Sequence, residues 1–328
     1  MESLILTLVI CFIALTIMPI FMKKFGMPVI VAEIIFGILI GKSFLDIVPQ
    51  GDSTIEFFSA FGLSYLMFLA GLEVRFAGMG TNFHKTASLA FFSVSIPFIS
   101  GALLARSAGV HPLLLGTIFC TTSLGIILPM TKELRYNRNF LDTLLSSVIL
   151  VDIISMFLLA FSLSYIQGAL GLSFVYSLAV IVLMFIIPWI LHKKDLKVKI
   201  ERWLLDKSHF EVELRFAFAL ILIFGAISDK LGFHSIIGAF IAGLIISRLT
   251  PRASLFYQKL EGFGYGFFIP LFFIFIGAKV DLPALFSNLT NVTLLITIII
   301  VAILSKILGA GLIAKLKHFT IKESFSLG

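Results

Sequence analysis

Apolar residues fill long blocks of this chain, and polar residues gather in the short intervals between them. A helix needs about 20 apolar residues to cross a bilayer. By that measure the pattern predicts eleven complete spans, near 3–22, 28–45, 55–74, 86–105, 112–131, 141–165, 170–191, 210–228, 235–249, 260–278 and 291–314. A twelfth begins at about 323. The first block has neither a basic stretch before it nor a small-residue cleavage site after it, so it reads as a span and not as a removed leader. The expected fold class is an all-α polytopic membrane protein.

Composition agrees with the pattern. Hydrophobic residues make up 59% of the 328, charged residues 13%, and there are 36 phenylalanines. The net charge of +7 acquires a meaning once the basic residues are placed. The odd-numbered intervals hold nineteen Lys and Arg, the even-numbered ones four (Lys42, Arg106, Lys230 and Lys279), and Arg215 and Lys306 fall within spans. Retention of basic residues on the cytoplasmic side puts the N-terminus outside. The charge therefore reflects topology and attraction to membrane lipids, and no basic surface interleaved with aromatics suggests nucleic acid. Cys11 and Cys120 lie inside spans, where a free thiol behaves as a small apolar side chain. His84, His111, His192, His209, His234 and His318 fall at intervals or span ends without metal-ligand spacing. With no nucleotide-binding glycine loop and no G-x-S-x-G turn, the expectation is that the chain is not an enzyme.

An internal repeat sets the organisation. "KFGMPVIVAEIIFGILIGK" (24–42) matches "KLGFHSIIGAFIAGLIISR" (230–248) at an offset of 206, with Gly26/Gly232 and Gly37/Gly243 in register. The same offset pairs "LMFLAGLEV" (66–74) with "FFIFIGAKV" (272–280), and so Gly71 with Gly277. Seven spans separate the paired elements, an odd number, so the two copies face opposite sides of the membrane. Inverted repeats of this kind characterise secondary transporters, whose sites are built from broken helices near the midplane. Gly125 and Pro129 in "TTSLGIILPM" break the fifth span just after the hydroxyls of Thr121, Thr122 and Ser123. The "SLG" containing Ser326 repeats this motif near the end of the chain. A proline kink is the plainer reading of the fifth span; two broken helices crossing at mid-membrane is the functional one.

Against this background two charges stand out. Asp152, in "SSVILVDIISMFLLAF", lies roughly 15 Å into the sixth span, and Lys306 lies roughly 13 Å from the cytoplasmic edge of the eleventh. Each is the only charge near the centre of its span, and burying either alone costs about 3 kcal/mol or more. A static ion pair holding two helices together is the plain interpretation. The functional one is a competition, in which ionised Asp152 binds a small cation with oxygens of the broken helices and protonated Asp152 releases it. Ser155, one turn on, adds a hydroxyl. Glu33 ranks as a possible secondary site, in the first turn of a span that starts at Pro28, where a carboxylate is favoured by the helix N-terminus and still partly wet. Glu211 and Arg215 stand four apart at the start of the eighth span, a spacing that lets them pair.

At this point the sequence resembles the monovalent cation/proton antiporter superfamily, in its bacterial branch of sodium/proton exchangers and potassium-efflux transporters. The motifs, in order, are "MPVIVAEIIFGILIGKS" (27–43), "FLAGLEV" (68–74), "TSLGIILP" (122–129), "VDIIS" (151–155), "IIGAFIAGLIIS" (236–247), "PLFFIFIGAKVDL" (270–282) and "SKILGA" (305–310). The resemblance implies two inverted six-helix repeats, 1–165 and 210–328, joined by a connector span and basic linker at 166–209. It implies a dimerisation scaffold (about 1–74 and 210–280) and a core ion-transport domain (about 86–165 and 291–328) with crossed discontinuous helices. It implies a homodimer in a bacterial or archaeal cytoplasmic membrane, exchanging Na+ or K+ for H+ with no cofactor. Asp152 matches the family's ion-carrying aspartate, the metal ligand for Na+ or K+, and Lys306 its core lysine.

Two departures qualify the match. Where electrogenic members carry paired acids this chain has Val151-Asp152, which favours electroneutral one-for-one exchange. The counterpart of Asp152 in the second repeat falls at 152 + 206 = 358, so the second repeat is expected to be incomplete and no regulatory nucleotide-binding domain follows in this chain. Alternatives are a sodium-coupled organic-anion symporter of similar fold, a channel, and a non-transporting membrane scaffold if the chain truly ends at 328.

Overall fold

The computed structural model describes residues 2–25, 28–49, 51–73, 83–122, 138–168, 171–190, 211–249, 254–311 and 314–315. Among these the chain is all helix and turn, with no strand. In chain order the helices are α1 (Glu2–Phe25), α2 (Val29–Ile40), α3 (Ser53–Leu72), α4 (Phe83–Ala108), α5 (Pro112–Cys120), α6 (Arg138–Ile166), α7 (Leu172–Ile190), α8 (Val212–Lys230), α9 (Ser235–Leu249), α10 (Leu255–Phe263), α11 (Ile269–Ala278), α12 (Leu282–Phe286) and α13 (Leu289–Lys306). Each of the eleven expected spans contains helix among the described residues; 123–131 of the fifth, and the twelfth expected from about 323, lie outside them. The stretches Ser53–Leu72, His84–Ala108, Thr143–Ile166, Leu255–Ala278 and Leu289–Gly311 are long and apolar enough to cross a membrane.

Four spans differ from expectation at their ends or middles. The fifth was expected to reach residue 131, but α5 ends at Cys120 and Thr121 is extended. The second was expected to reach residue 45, but α2 stops at Ile40 and Gly41 turns to extended backbone. There Gly41 lies so close to Ala278 that a Cβ would overlap the Ala278 main chain. The tenth begins at Leu255 and is interrupted by a π-turn, Gly264–Phe268, between α10 and α11. Pro270, at the start of α11, has no N–H to offer the carbonyl four residues back, so the chain takes up one extra residue there. The eleventh ends in a second π-turn, Ile307–Gly311, immediately after Lys306.

The starts of these helices follow local rules. Asp52 caps α3 by accepting from the amides of Thr54 (2.8 Å) and Ile55 (3.3 Å). Ser254 caps α10 through the Tyr257 amide. His111 caps α5, with Pro112 in the first turn, where a missing N–H costs nothing. Glu211, before α8, holds the left-handed backbone (φ 52°) and is tied down by Lys259 at 2.5 Å, so it does not form the expected pair with Arg215.

The chain divides into two compact units. Unit 1 comprises Met1–Glu73, Val182–Lys230 and His234–Asn288; unit 2 comprises Val74–Ile181, Leu231–Phe233 and Leu289–Gly328. Unit 1 is organised by the repeat. Gly37 of α2 abuts the Ile274 carbonyl of α11, and Gly243 of α9 abuts the Phe68 carbonyl of α3. Adding 206 to 37 and to 68 gives 243 and 274, so each contact is the image of the other with the partners exchanged. The same holds for Gly277 against the Ile34 carbonyl and Gly71 against the Phe240 carbonyl, since 71 + 206 = 277 and 34 + 206 = 240. The second helix of each repeat thus packs backbone to backbone against the third helix of the other. Such close approach needs residues without a Cβ.

Around these crossings lie two apolar clusters. One joins Tyr65, Phe68 and Leu72 of α3 with Ile221 of α8, Ile246 of α9 and Ile269 of α11. The other joins Cys11 of α1 and Ile40 of α2 with Leu271, Ile274 and Phe275 of α11. The Tyr65 hydroxyl, fully buried, donates to the Leu260 carbonyl (3.0 Å). Beyond the end of α2, Lys42 pairs with Asp281 (2.7 Å), Ser43 Oγ donates to the Val280 carbonyl (2.6 Å), and Ser43 Oγ accepts from the Leu282 amide (3.0 Å).

Candidate ion-binding site

Unit 2 carries the two charges singled out above. Asp152 is the fifteenth of the 29 residues of α6, about 21 Å from either end, and is 5% exposed. Helices α4 and α5 both pack against α6. Its neighbour Val151 is buried in a cluster with Ala90 and Val94 of α4 and Cys120 of α5. Val151 is therefore packing, and the residue beside Asp152 contributes no second titrating group.

Lys306 closes α13, and its ammonium donates to the Cys120 carbonyl (2.7 Å) and to Thr122 Oγ1 (2.9 Å). Cys120 is the last residue of α5; Thr121 has left the helix, with φ −61° and ψ 145°. The last carbonyls of a helix lack intrahelical donors and carry the negative end of its dipole. Lys306 thus acts as a C-terminal cap supplied by another helix. Asp152 lies within electrostatic reach of the same ammonium. Two of the three ammonium donors of Lys306 are thus engaged, one at the last residue of α5 and one just beyond it.

The remaining sequence candidates fall into four groups. Thr122 belongs to the lysine cap, whereas Thr121 is exposed and donates to the Ile118 carbonyl (2.8 Å). Ser155 is buried, but its hydroxyl donates to the main-chain carbonyl of Asp152 (2.9 Å), the usual local outlet for a serine within a helix. Ser123, Gly125, Pro129 and Ser326 lie outside the described residues. Glu33 belongs to unit 1 and is 4% exposed. The expected partly wet position at a helix start is corrected: burial comes from the packing of α2 against α11, which distance along α2 does not reveal.

Sequence reading missed two participants. The Cys120 carbonyl is one, and a backbone acceptor has no signature in residue types. The other is a hydroxyl pair, Thr117 Oγ1 and Ser162 Oγ at 3.0 Å, fully or almost fully buried, which also bonds the Leu113 and Leu158 carbonyls. The pair fastens α5 to α6 on the side of Asp152 toward Ile166. Chemically, the arrangement offers a buried carboxylate, a fixed cation near it, and the open end of a short helix whose main-chain oxygens have no helical donors.

Comparison with known proteins agrees with this architecture. Residues 10–328 match the family described as "Sodium/hydrogen exchanger, transmembrane". YjbQ of Bacillus subtilis is 33% identical over 328 residues, covering 93% of this chain and 52% of its own length, so the chain spans about half of that relative. The Methanocaldococcus jannaschii protein named "Probable Na(+)/H(+) antiporter 3" is 34% identical over 315 residues, covering 92% of this chain and 78% of its own. The electron-microscopy structure of the sodium proton antiporter MjNhaP1, from the same archaeon, aligns with a TM-score of 0.77 at 18% identity, over all of this chain and 81% of that one. That likeness shows a common fold. With the match running through nearly every residue from the first helix onward, this chain belongs to the sodium/hydrogen exchanger family of transmembrane proteins.

Proposed function

We propose that this protein exchanges a monovalent cation, Na+ or K+, for H+ by alternating access, with Asp152 as the group for which the two compete. The observation that carries the reading is the placement of Asp152: a carboxyl at the middle of a 29-residue apolar helix, 5% exposed, beside a capped helix end. An ionisable group at such depth is costly and marks an ion or proton pathway. The names of the relatives, which are those of Na+/H+ antiporters, support the same chemistry.

In the proposed cycle a cation meets ionised Asp152 and main-chain or hydroxyl oxygens near the end of α5, where a hard monovalent ion finds oxygen ligands. Protonation of Asp152 removes the charge that holds the cation, and it leaves. Lys306 holds the end of α5 in place through Cys120 and Thr122. With Val151 packed into an apolar cluster, one proton balances one cation, so exchange is electroneutral. We further propose that unit 2 is the moving core and unit 1 the scaffold of a homodimer, in a bacterial or archaeal membrane with the N-terminus outside.

The test is a fluorescence assay of proton-gradient dissipation in everted vesicles on addition of Na+, K+ or Li+. Wild type dissipates the gradient and Asp152→Asn does not. Cation-dependent dissipation surviving in Asp152→Asn would overturn the assignment.

A further inference from the structure

Glu33 and Asp152 are the two buried acidic residues among the described residues, and the exchange mechanism does not use Glu33. It lies on α2, one turn before Gly37, on the side of the helix that meets α11. It lies four positions after Val29, the first residue of α2, about 6 Å along the axis, and about 12 Å before Gly41. It is 4% exposed. Among the described residues it has no hydrogen bond and no ion pair, and burial alone shapes its surroundings.

The repeat shows that the position does not require a carboxyl. The residue 206 further on is Ala239, fully buried in the equivalent seam of α9 against α3. That seam closes around Gly243 and the Phe68 carbonyl as its image closes around Gly37 and the Ile274 carbonyl. One copy of the seam therefore packs with a methyl group where the other holds an acid. A carboxylate left charged and unpaired in such a place is far costlier than a neutral acid.

We propose that Glu33 is a second proton-binding site, held as the neutral acid in the α2–α11 seam of unit 1, whose loss of the proton loosens that seam. The described side chains of the elements packed against α2 give it no hydrogen bond or ion pair. α1 contributes the thiol of Cys11, about 10 Å nearer the Gly41 end; Lys23 and Lys24 belong to the last turn of the same helix, and their side chains lie outside the described residues. α11 has no ionisable side chain between Ile269 and Ala278. α3 contributes Tyr65, whose hydroxyl is engaged with Leu260. Lys42 and Asp281 pair with each other beyond the end of α2.

The experiment is infrared spectroscopy of the purified protein near neutral and at alkaline pH, with thermal unfolding measured in parallel. Wild type, Glu33→Gln and Glu33→Ala are compared, the last carrying the residue of the mirror position. Each is also made in an Asp152→Asn background, where Asp152 cannot contribute an acid band. The expected result is a protonated-carboxyl stretch near neutral pH that is absent from both Glu33 variants, persists in Asp152→Asn, and disappears at alkaline pH. The wild-type unfolding midpoint falls over that pH rise, and the midpoints of the Glu33 variants fall less. Absence of a Glu33-dependent acid band near neutral pH, or an identical alkaline loss of stability in wild type and both variants, overturns the proposal. Because the band is read without transport, failure of the Asp152 assignment leaves this result interpretable.

Discussion

The ammonium of Lys306 stands 2.7 Å from the carbonyl oxygen of Cys120, which joins the end of α13 to the end of α5. A helix terminus inside a membrane has no water to satisfy its last carbonyls, and a cation is the strongest single donor available to it. The contact means that Lys306 positions the backbone at the site as well as placing a positive charge beside Asp152.

This double role separates the variants of Lys306. Lys306→Arg keeps a cation with donors for both Cys120 and Thr122 and retains part of the exchange activity. Lys306→Met loses both and is inactive in the vesicle assay. Thr122→Val leaves the carbonyl contact in place and loses about 1.5–3 kcal/mol from one charged hydrogen bond, so it is impaired less than Lys306→Met. Equal activity of Lys306→Met and wild type would remove the lysine from the mechanism.

The backbone crossings in unit 1 predict a paired sensitivity. Gly37→Ala and Gly243→Ala each drive a methyl group into a main-chain carbonyl that cannot rotate away, and each destabilises by about 1–3 kcal/mol or more. Gly262→Ala, in α10, meets nothing within 4 Å and gains helix propensity, so it is neutral or stabilising. Thermal unfolding of the three purified variants checks the contrast.

At the end of α2 the pair Lys42 and Asp281 responds to pH in a stated direction. A hydrogen bond from Lys42 holds the Asp281 carboxyl below its ordinary range, and the hydrogen bond to Asp281 lifts Lys42 above its own. The Asp281 contribution is complete above the unfolded value and is lost as pH falls through the lower folded one, that is, below about pH 4. The Lys42 contribution is complete below its unfolded value and is lost as pH rises through the higher folded one. Asp281→Asn therefore lacks part of the acid-limb loss seen in wild type, as measured by unfolding midpoint against pH. Lys42 is exposed and Asp281 half-buried beside solvent, so the difference is small and shrinks with added salt.

The hydroxyl pair of Thr117 and Ser162 predicts a coupling between α5 and α6. Thr117→Val and Ser162→Ala each cost about 1 kcal/mol, and the double variant costs less than the sum, because the shared hydrogen bond is lost only once. Strict additivity in thermal unfolding would show that the two hydroxyls act separately through their own helices.

Much of the helical layout was legible in the chain because span length and apolar content are set by the bilayer, and each of the eleven complete spans contains helix among the described residues. The offset of 206 identified Gly37, Gly243, Gly71 and Gly277 as equivalent positions, yet it did not disclose that each repeat's glycine faces the other repeat's carbonyl. That exchange of partners is a property of three-dimensional packing and leaves no mark on either segment alone. The Lys306 contact was hidden for a related reason: its acceptor is the main chain of Cys120, and every residue has a carbonyl. Ser155 looked like a ligand by spacing, but its hydroxyl reaches the nearer carbonyl of its own helix first. Glu33 was placed by its distance from Pro28, whereas its burial is decided by α11.

The exchanged glycine crossings also order events during synthesis. α2 finds its place against Ile274, 237 residues later in the chain, and α3 against Gly243, 175 residues later. At about 5–20 residues per second, the carbonyl that Gly37 abuts is made roughly 12–50 s after Gly37 itself. Throughout that interval the first repeat resides in the lipid with its small-residue faces uncovered, and it is the arrival of the second repeat that completes both.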